Sequence, residues 1–322
     1  MPAVIRIRAV RGARRRPGFT LIEILVALVL LGIVVGGLLS VVSRQQRFYA
    51  DAAGLIDMRE NLRQVAGLLP SELRGVSPRH GDILDVADSA IAFKATTGTG
   101  VICTINAART TIVIPPYAQA SESGLTSWVS PPSPGDSIWV FDPRTSLPDT
   151  MYSYVVAGVA PNATCPAATG FTTAADQNSG WAITLLGAAP SPWPLPATVV
   201  VGGPVRFFKP VRYSLYRSPA DSKWYVGYRD YNPLRAQPWS NIQPVSGPFM
   251  PYAAGGASGL SFAYADSAGN AINSGGMLER IRRIDVVVRG ETAVPVKAAG
   301  FTKTPSGYVR DSLNLSIALR NR

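Results

Sequence analysis

The stretch Gly18-Phe19-Thr20-Leu21-Ile22-Glu23-Ile24-Leu25-Val26-Ala27-Leu28-Val29-Leu30-Leu31, carried through Gly32, Gly36 and Gly37 to Val42, decides how this chain is read. Phe19 to Val42 is 24 residues. As a helix rising about 1.5 Å per residue it is roughly 36 Å long, enough to cross a hydrocarbon core of about 30 Å. The run is longer than the apolar region of an ordinary secretory signal, and no small-residue cleavage site follows it before Arg44. Six Arg and no acid precede it (Arg6, Arg8, Arg11, Arg14, Arg15 and Arg16). That asymmetry holds the N-terminus in the cytoplasm and puts the body across the membrane. Glu23 stands inside the run, where a carboxylate costs about 2.5–3.5 kcal/mol at the centre of a span. Two readings are open: an interfacial Glu close enough to the helix start to meet its dipole, or a functional charge.

The 322 residues are 47% hydrophobic and 16% charged, which excludes an intrinsically disordered chain. The net charge of +11 is local. Beyond the Arg-rich front, residues 277–322 hold nine basic and four acidic residues, and residues 19–276 balance at sixteen of each. A basic front, neutral body and mildly basic tail do not form the footprint of a nucleic-acid-binding domain. One His (His80) and two Cys (Cys103 and Cys165) leave little material for a metal cluster. No metal or cofactor is expected.

A basic leader, then Gly18-Phe19-Thr20-Leu21-Ile22-Glu23 and an apolar helix, strongly resembles the signal of type IV pilins and type II secretion pseudopilins. That resemblance implies a prepilin peptidase that cuts between Gly18 and Phe19, leaving 304 residues, and methylates the new N-terminal Phe19. It implies further that other pilins or pseudopilins pack against the N-terminal helix, and that an assembly platform in the inner membrane lifts the subunit. The amine of one subunit would then meet Glu23 of a neighbour in an apolar core, fixing register more than adding stability. The resemblance implies residues 1–18 as leader, 19–43 as transmembrane and filament-core helix, 44–76 as its amphipathic continuation and 77–322 as a β-rich periplasmic domain.

The residues after the run agree with that layout. Phe48, Ala52, Leu55, Met58, Leu62, Val65 and Leu69 recur at steps of three and four, the apolar stripe of an amphipathic helix. Pro70, or the Gly75 to Pro78 stretch, should end or bend it. Short β-rich runs with Gly/Pro punctuation follow. Strands are expected at 91–94, 100–105, 111–114, 137–141, 152–157, 181–186 and 198–201, at 212–217 and 223–229 as a hairpin, and at 260–265, 284–289 and 313–319. Loops are expected at 115–135, 161–180, 188–196 and 233–255. The class is α+β, a long helix on mostly antiparallel sheet. The length, the strands at 260–265 and 284–289 and the turn at 266–270 resemble larger minor pilins and J-like pseudopilins. Ser40 stands where major pilins commonly have Pro, and the presence of Glu23 separates the chain from K-like tip subunits, which usually lack it.

Other constellations offer less. Cys103 and Cys165 lie in the exported body, where disulfides persist; one structural bridge or two buried thiols would both suit them. Asp266 to Asn270 reads as a β-turn before a Ca²⁺ loop, and Asp82, Asp85 and Asp88 as a solvated face. His80 has no triad partners in view, and Gly256 to Gly259 is a residue short of a nucleophile elbow. The expectation is therefore a structural subunit, not an enzyme. Two alternatives remain: a DNA-binding minor pilin, suggested by the basic tail and by Tyr213, Tyr216, Tyr225 and Tyr228, or a membrane-anchored receptor or enzyme with a mimicking leader.

Overall fold

The computed structural model describes residues 18, 20–117, 124–144, 150–255, 257–273, 276–297, 300 and 302–319. The chain divides into two units, Met1–Ala53 with Lys297–Gly300, and Gly54–Val296 with Phe301–Arg322.

One helix, α1 (Leu21–Leu73, 53 residues), runs without interruption through the apolar segment and beyond it. In the first unit its large apolar side chains from Leu21 to Val42 are all exposed, Leu21 at 82%. Lower down, Asp51 Oδ2 accepts the Lys297 backbone N–H at 2.8 Å.

In the second unit the same helix buries Leu55, Met58, Leu62, Val65, Leu69 and Leu73. The stripe begins one turn later than its periodicity suggests, because Phe48 is 53% exposed. Pro70 does not end α1; the helix closes three residues on, with Arg74 N–H donating to the Pro70 carbonyl at 3.1 Å. The helix lies close to the sheet where Gly290 gives it room, since a Cβ there would come within 2.8 Å of Met58 Cγ.

The sheet is antiparallel and is built around one long strand. In chain order the strands are β1 (Ile83–Val86), β2 (Ala90–Val101), β3 (Thr104–Ile105), β4 (Thr111–Ile114), β5 (Ser127–Trp128), β6 (Ser137–Asp142) and β7 (Thr150–Ala163). There follow β8 (Gly180–Gly187), β9 (Pro204–Arg217), β10 (Trp224–Asp230), β11 (Gln243–Phe249), β12 (Leu260–Ala265), β13 (Arg283–Glu291) and β14 (Arg310–Ala318). One edge of β9 pairs with β2 from Ala90↔Ser214 to Val101↔Pro204. Its other edge is shared: β10 takes residues 211–217 and β6 takes 205–208. Pro210, which has no N–H to donate, sits where that edge changes neighbour.

Two apolar clusters follow from this division. One joins the helix stripe to Ile91, Phe93, Val211, Tyr213, Val226, Phe262, Ile284 and Val286. The other packs Ile112, Ile138, Val140, Tyr154, Ile183, Leu185, Val205 and Phe207. Each fully buried Leu, Ile, Val or Phe contributes about 1.5–3 kcal/mol on the transfer scale, so both clusters matter to the fold.

Several elements differ from the sequence reading. Residues 198–201 form a turn, not a strand: Arg109 donates to the carbonyls of Leu195, Pro196 and Val199 and so holds the segment in an irregular path. The expected loop at 233–255 contains β11, which pairs with β10 despite Pro244, Gly247 and Pro248. The expected strand at 100–105 is broken at Ile102 and Cys103, and β7 runs on into the expected loop as far as Ala163. β1 and the two-residue β5 were not expected.

Candidate functional site

At the membrane end, Gly18 is exposed and Phe19 lies outside the described residues, as does the leader before it. Thr20 and Glu23 close the first turn of α1 reciprocally. Glu23 Oε2 accepts the Thr20 backbone N–H and the Thr20 hydroxyl, both at 3.0 Å. Thr20 Oγ1 in turn accepts the Glu23 N–H at 3.4 Å, and the Thr20 carbonyl accepts Ile24 N–H at 3.2 Å. This is a capping box, Thr-x-x-Glu, which satisfies donors that a helix start leaves open. The signal stood in the sequence as Thr20 three residues before Glu23, and the sequence reading missed it. In the single chain Glu23 thus has a local partner, and its charge lies at the end of the helix that favours anions.

Beyond the first turn, Leu21 to Val42 offers an uncovered apolar surface, the one described helix long and apolar enough to cross a membrane. Such a surface needs lipid or other apolar helices around it.

The remaining candidates take structural positions. A disulfide joins Cys103, just past β2, to Cys165, just past β7, with Cα atoms 5.3 Å apart and both residues buried. His80 Nδ1 lies 2.7 Å from Ser77 Oγ, and its ring meets Trp139 edge-on at 6.4 Å. Asp266 Oδ1 accepts the N–H groups of Ala268 and Asn270 while Oδ2 accepts Asn270 Nδ2, so the segment is a turn closed by its own carboxylate. Among the described residues no three His, Cys, Asp or Glu side chains group as a metal site.

The reading of Asp82, Asp85 and Asp88 as one solvated face holds for Asp85 and Asp88, which are exposed, and is corrected at Asp82. Asp82 is fully buried, and its Oδ2 accepts Ser77 N–H at 2.7 Å and both Arg206 Nη1 and Nη2 at 3.0 Å. Asp85 pairs with Arg212, and Asp88 accepts the Tyr252 hydroxyl at 2.8 Å. Arg206, Arg212 and Tyr252 all lie more than 100 residues away in sequence, out of reach of any local pattern.

The hairpin tyrosines divide. Tyr213 is buried, stacked on Phe93 and packed against Tyr228, and burial raises the Tyr228 pKa to about 12. Tyr216 and Tyr225 lie together nearer solvent, the Tyr225 hydroxyl donating to Asp221 at 2.6 Å.

Residues 13–39 match the family model of the prokaryotic N-terminal methylation motif. No curated protein matches the chain, and no solved structure matches it. The motif implies processing by a prepilin peptidase and assembly with other pilins. With the uncovered apolar helix behind it, the motif supports a membrane-anchored, pilin-like exported protein.

Proposed function

We propose that the chain is a minor pilin or pseudopilin, a structural subunit of a type IV pilus or type II secretion filament. The observation that carries this reading is the continuity of one element: the methylation motif at residues 13–39 opens a helix that is wholly uncovered to Val42 and buried on one stripe from Leu55.

The steps follow from that arrangement. A prepilin peptidase removes residues 1–18 and so deletes the six Arg that hold the helix start on the cytoplasmic side. The new amine on Phe19 is methylated. The assembly platform then moves the subunit out of the bilayer, and Phe19 to Val42 exchanges lipid for the apolar helices of other subunits. The β domain remains outside, periplasmic or on the filament surface. The subunit does no chemistry of its own in this reading.

The test is co-expression with a peptidase, a platform and a major pilin, followed by shearing. Processed chain should be recovered in the sheared filaments. A processed chain found only in membranes contradicts a filament role and leaves a membrane-anchored receptor.

A further inference from the structure

A cleft of about 600 Å³, open to solvent, lies beside β6 on the strand face opposite Ile138 and Val140. Trp139 and Phe141 reach it from β6, and Met151 and Ser153 stand across from them on β7. Lys94 enters from β2, and Arg79 and His80 from the turn Pro78–His80. No carboxylate is among the described residues that line it.

The cations there are unequally committed. Arg206, behind Trp139, places Nη1 and Nη2 on Asp82 and Nε on Thr96 Oγ1, with its guanidinium carbon 4.9 Å from the Trp139 ring centre. Lys94 Nζ sits 4.5 Å from the Trp139 ring centre and 5.3 Å from that of Phe208. Among the described residues its ammonium makes no hydrogen bond or ion pair, so its three donors are free for an acceptor. Burial lowers the Lys94 pKa, with Asp82 opposing and Arg206 adding. A half-buried ammonium fixed by two rings, whose opposing charge Asp82 is already bound by Arg206, is costly to the fold, and such costs gather at binding sites.

The rest of the lining is mixed. Ser191 Oγ accepts the Ser153 N–H at 2.9 Å and keeps its own hydrogen to donate. His80, held through Nδ1 on Ser77, leaves Nε2 for a ligand. Phe141 and the 39%-exposed Met151 add apolar surface. Two cations, several neutral hydrogen-bonding groups and an apolar wall in an open cleft suit a ligand that brings a negative charge, hydroxyls and an apolar face.

We propose that this cleft binds an acidic sugar of the uronic-acid type. The sugar carboxylate meets Lys94 Nζ and Arg79, its ring hydroxyls meet Ser153, Ser191 and His80, and an apolar ring face lies on Phe141 and Met151. Binding does not require leader processing, so it can be measured whatever the filament.

The experiment is titration calorimetry of the full chain in detergent with trigalacturonate, neutral maltotriose and inorganic phosphate. Trigalacturonate should bind at least about tenfold more tightly than either control, since only it supplies both charge and hydroxyls. Lys94→Met and Arg79→Gln should each weaken it about tenfold or more, while Lys223→Ala, on the β9–β10 turn, leaves it unchanged. Lys94→Met should fold at least as stably as the wild type; if it does not, Arg79→Gln, at an exposed position, carries the test. No heat with trigalacturonate at about 10 mM overturns the proposal. So does equal affinity for phosphate, which reduces the site to anion contact, or unchanged affinity in the Arg79 and Lys94 variants.

Discussion

Replacing Asp82 by Asn should destabilise the β domain by about 3–5 kcal/mol, the usual loss when one partner of a buried ion pair is removed. The geometry gives the scale. Asp82 is fully buried, the Arg206 side chain is 16% exposed, and the shortest N···O separation is 3.0 Å. Two unit charges at that distance and an effective dielectric constant of about 20 attract by roughly 5 kcal/mol. The amide in Asp82→Asn would keep one acceptor for the Ser77 N–H but leave the mostly covered Arg206 guanidinium with no counter-charge. The double variant Asp82→Leu, Arg206→Met removes both charges and fills similar volume, so it should recover most of the loss. The cycle closed by the single variants Asp82→Leu and Arg206→Met should therefore be strongly non-additive. The assay is urea unfolding of the full chain in detergent followed by tryptophan fluorescence, to which Trp139 beside Arg206 should respond. A loss under about 1 kcal/mol for Asp82→Asn, or additive effects in the double variant, would refute the reasoning.

Three further outcomes are expected. Substituting both Cys103 and Cys165 by Ser should cost about 4 kcal/mol for a bridge spanning 62 residues; unfolding midpoints equal to the wild type would contradict it. Burial raises the Glu72 pKa above its ordinary 4.5, so the folded state holds that proton more tightly than the unfolded chain. Its contribution to stability is present below pH 4.5 and fades as pH rises through the raised value, so Glu72→Gln should gain on the wild type in melting temperature as pH increases; a constant difference contradicts this. Glu23→Gln keeps the capping box without the charge, whereas Glu23→Val loses both, a local cost of about 1 kcal/mol. Should the charge pair with a neighbour's amine, both variants leave processed subunit behind in membranes after shearing; normal incorporation of Glu23→Gln reduces Glu23 to a cap.

What the sequence disclosed, and what it hid, follows from the range of the interactions. The helix was legible because its stripe from Leu55 to Leu69 is a local period, and hairpin β9–β10 because its turn and aromatics are adjacent. β11 was hidden because its two prolines and a glycine mimic a loop, although only its pairing with β10 and β13 makes it a strand. The 198–201 segment misled in the opposite way: Val-rich and β-prone, it is bent by the distant Arg109. At the N-terminal end the motif was plain, while the Thr20–Glu23 box was hidden because a Glu inside an apolar run carries a charge signal stronger than its three-residue spacing from a hydroxyl. The cleft around Lys94 could not be read at all, since its walls come from β2, β6, β7 and the turn at Pro78–His80.

Whether residues 13–39 work as a prepilin signal is read by mass spectrometry of the N-terminus, on chain made in cells holding a prepilin peptidase. The chain should lose residues 1–18 and carry one added methyl on Phe19, with Gly18→Val blocking the cut and leaving the leader attached. A mature chain that still begins at Met1, or that begins beyond the apolar helix, would contradict it.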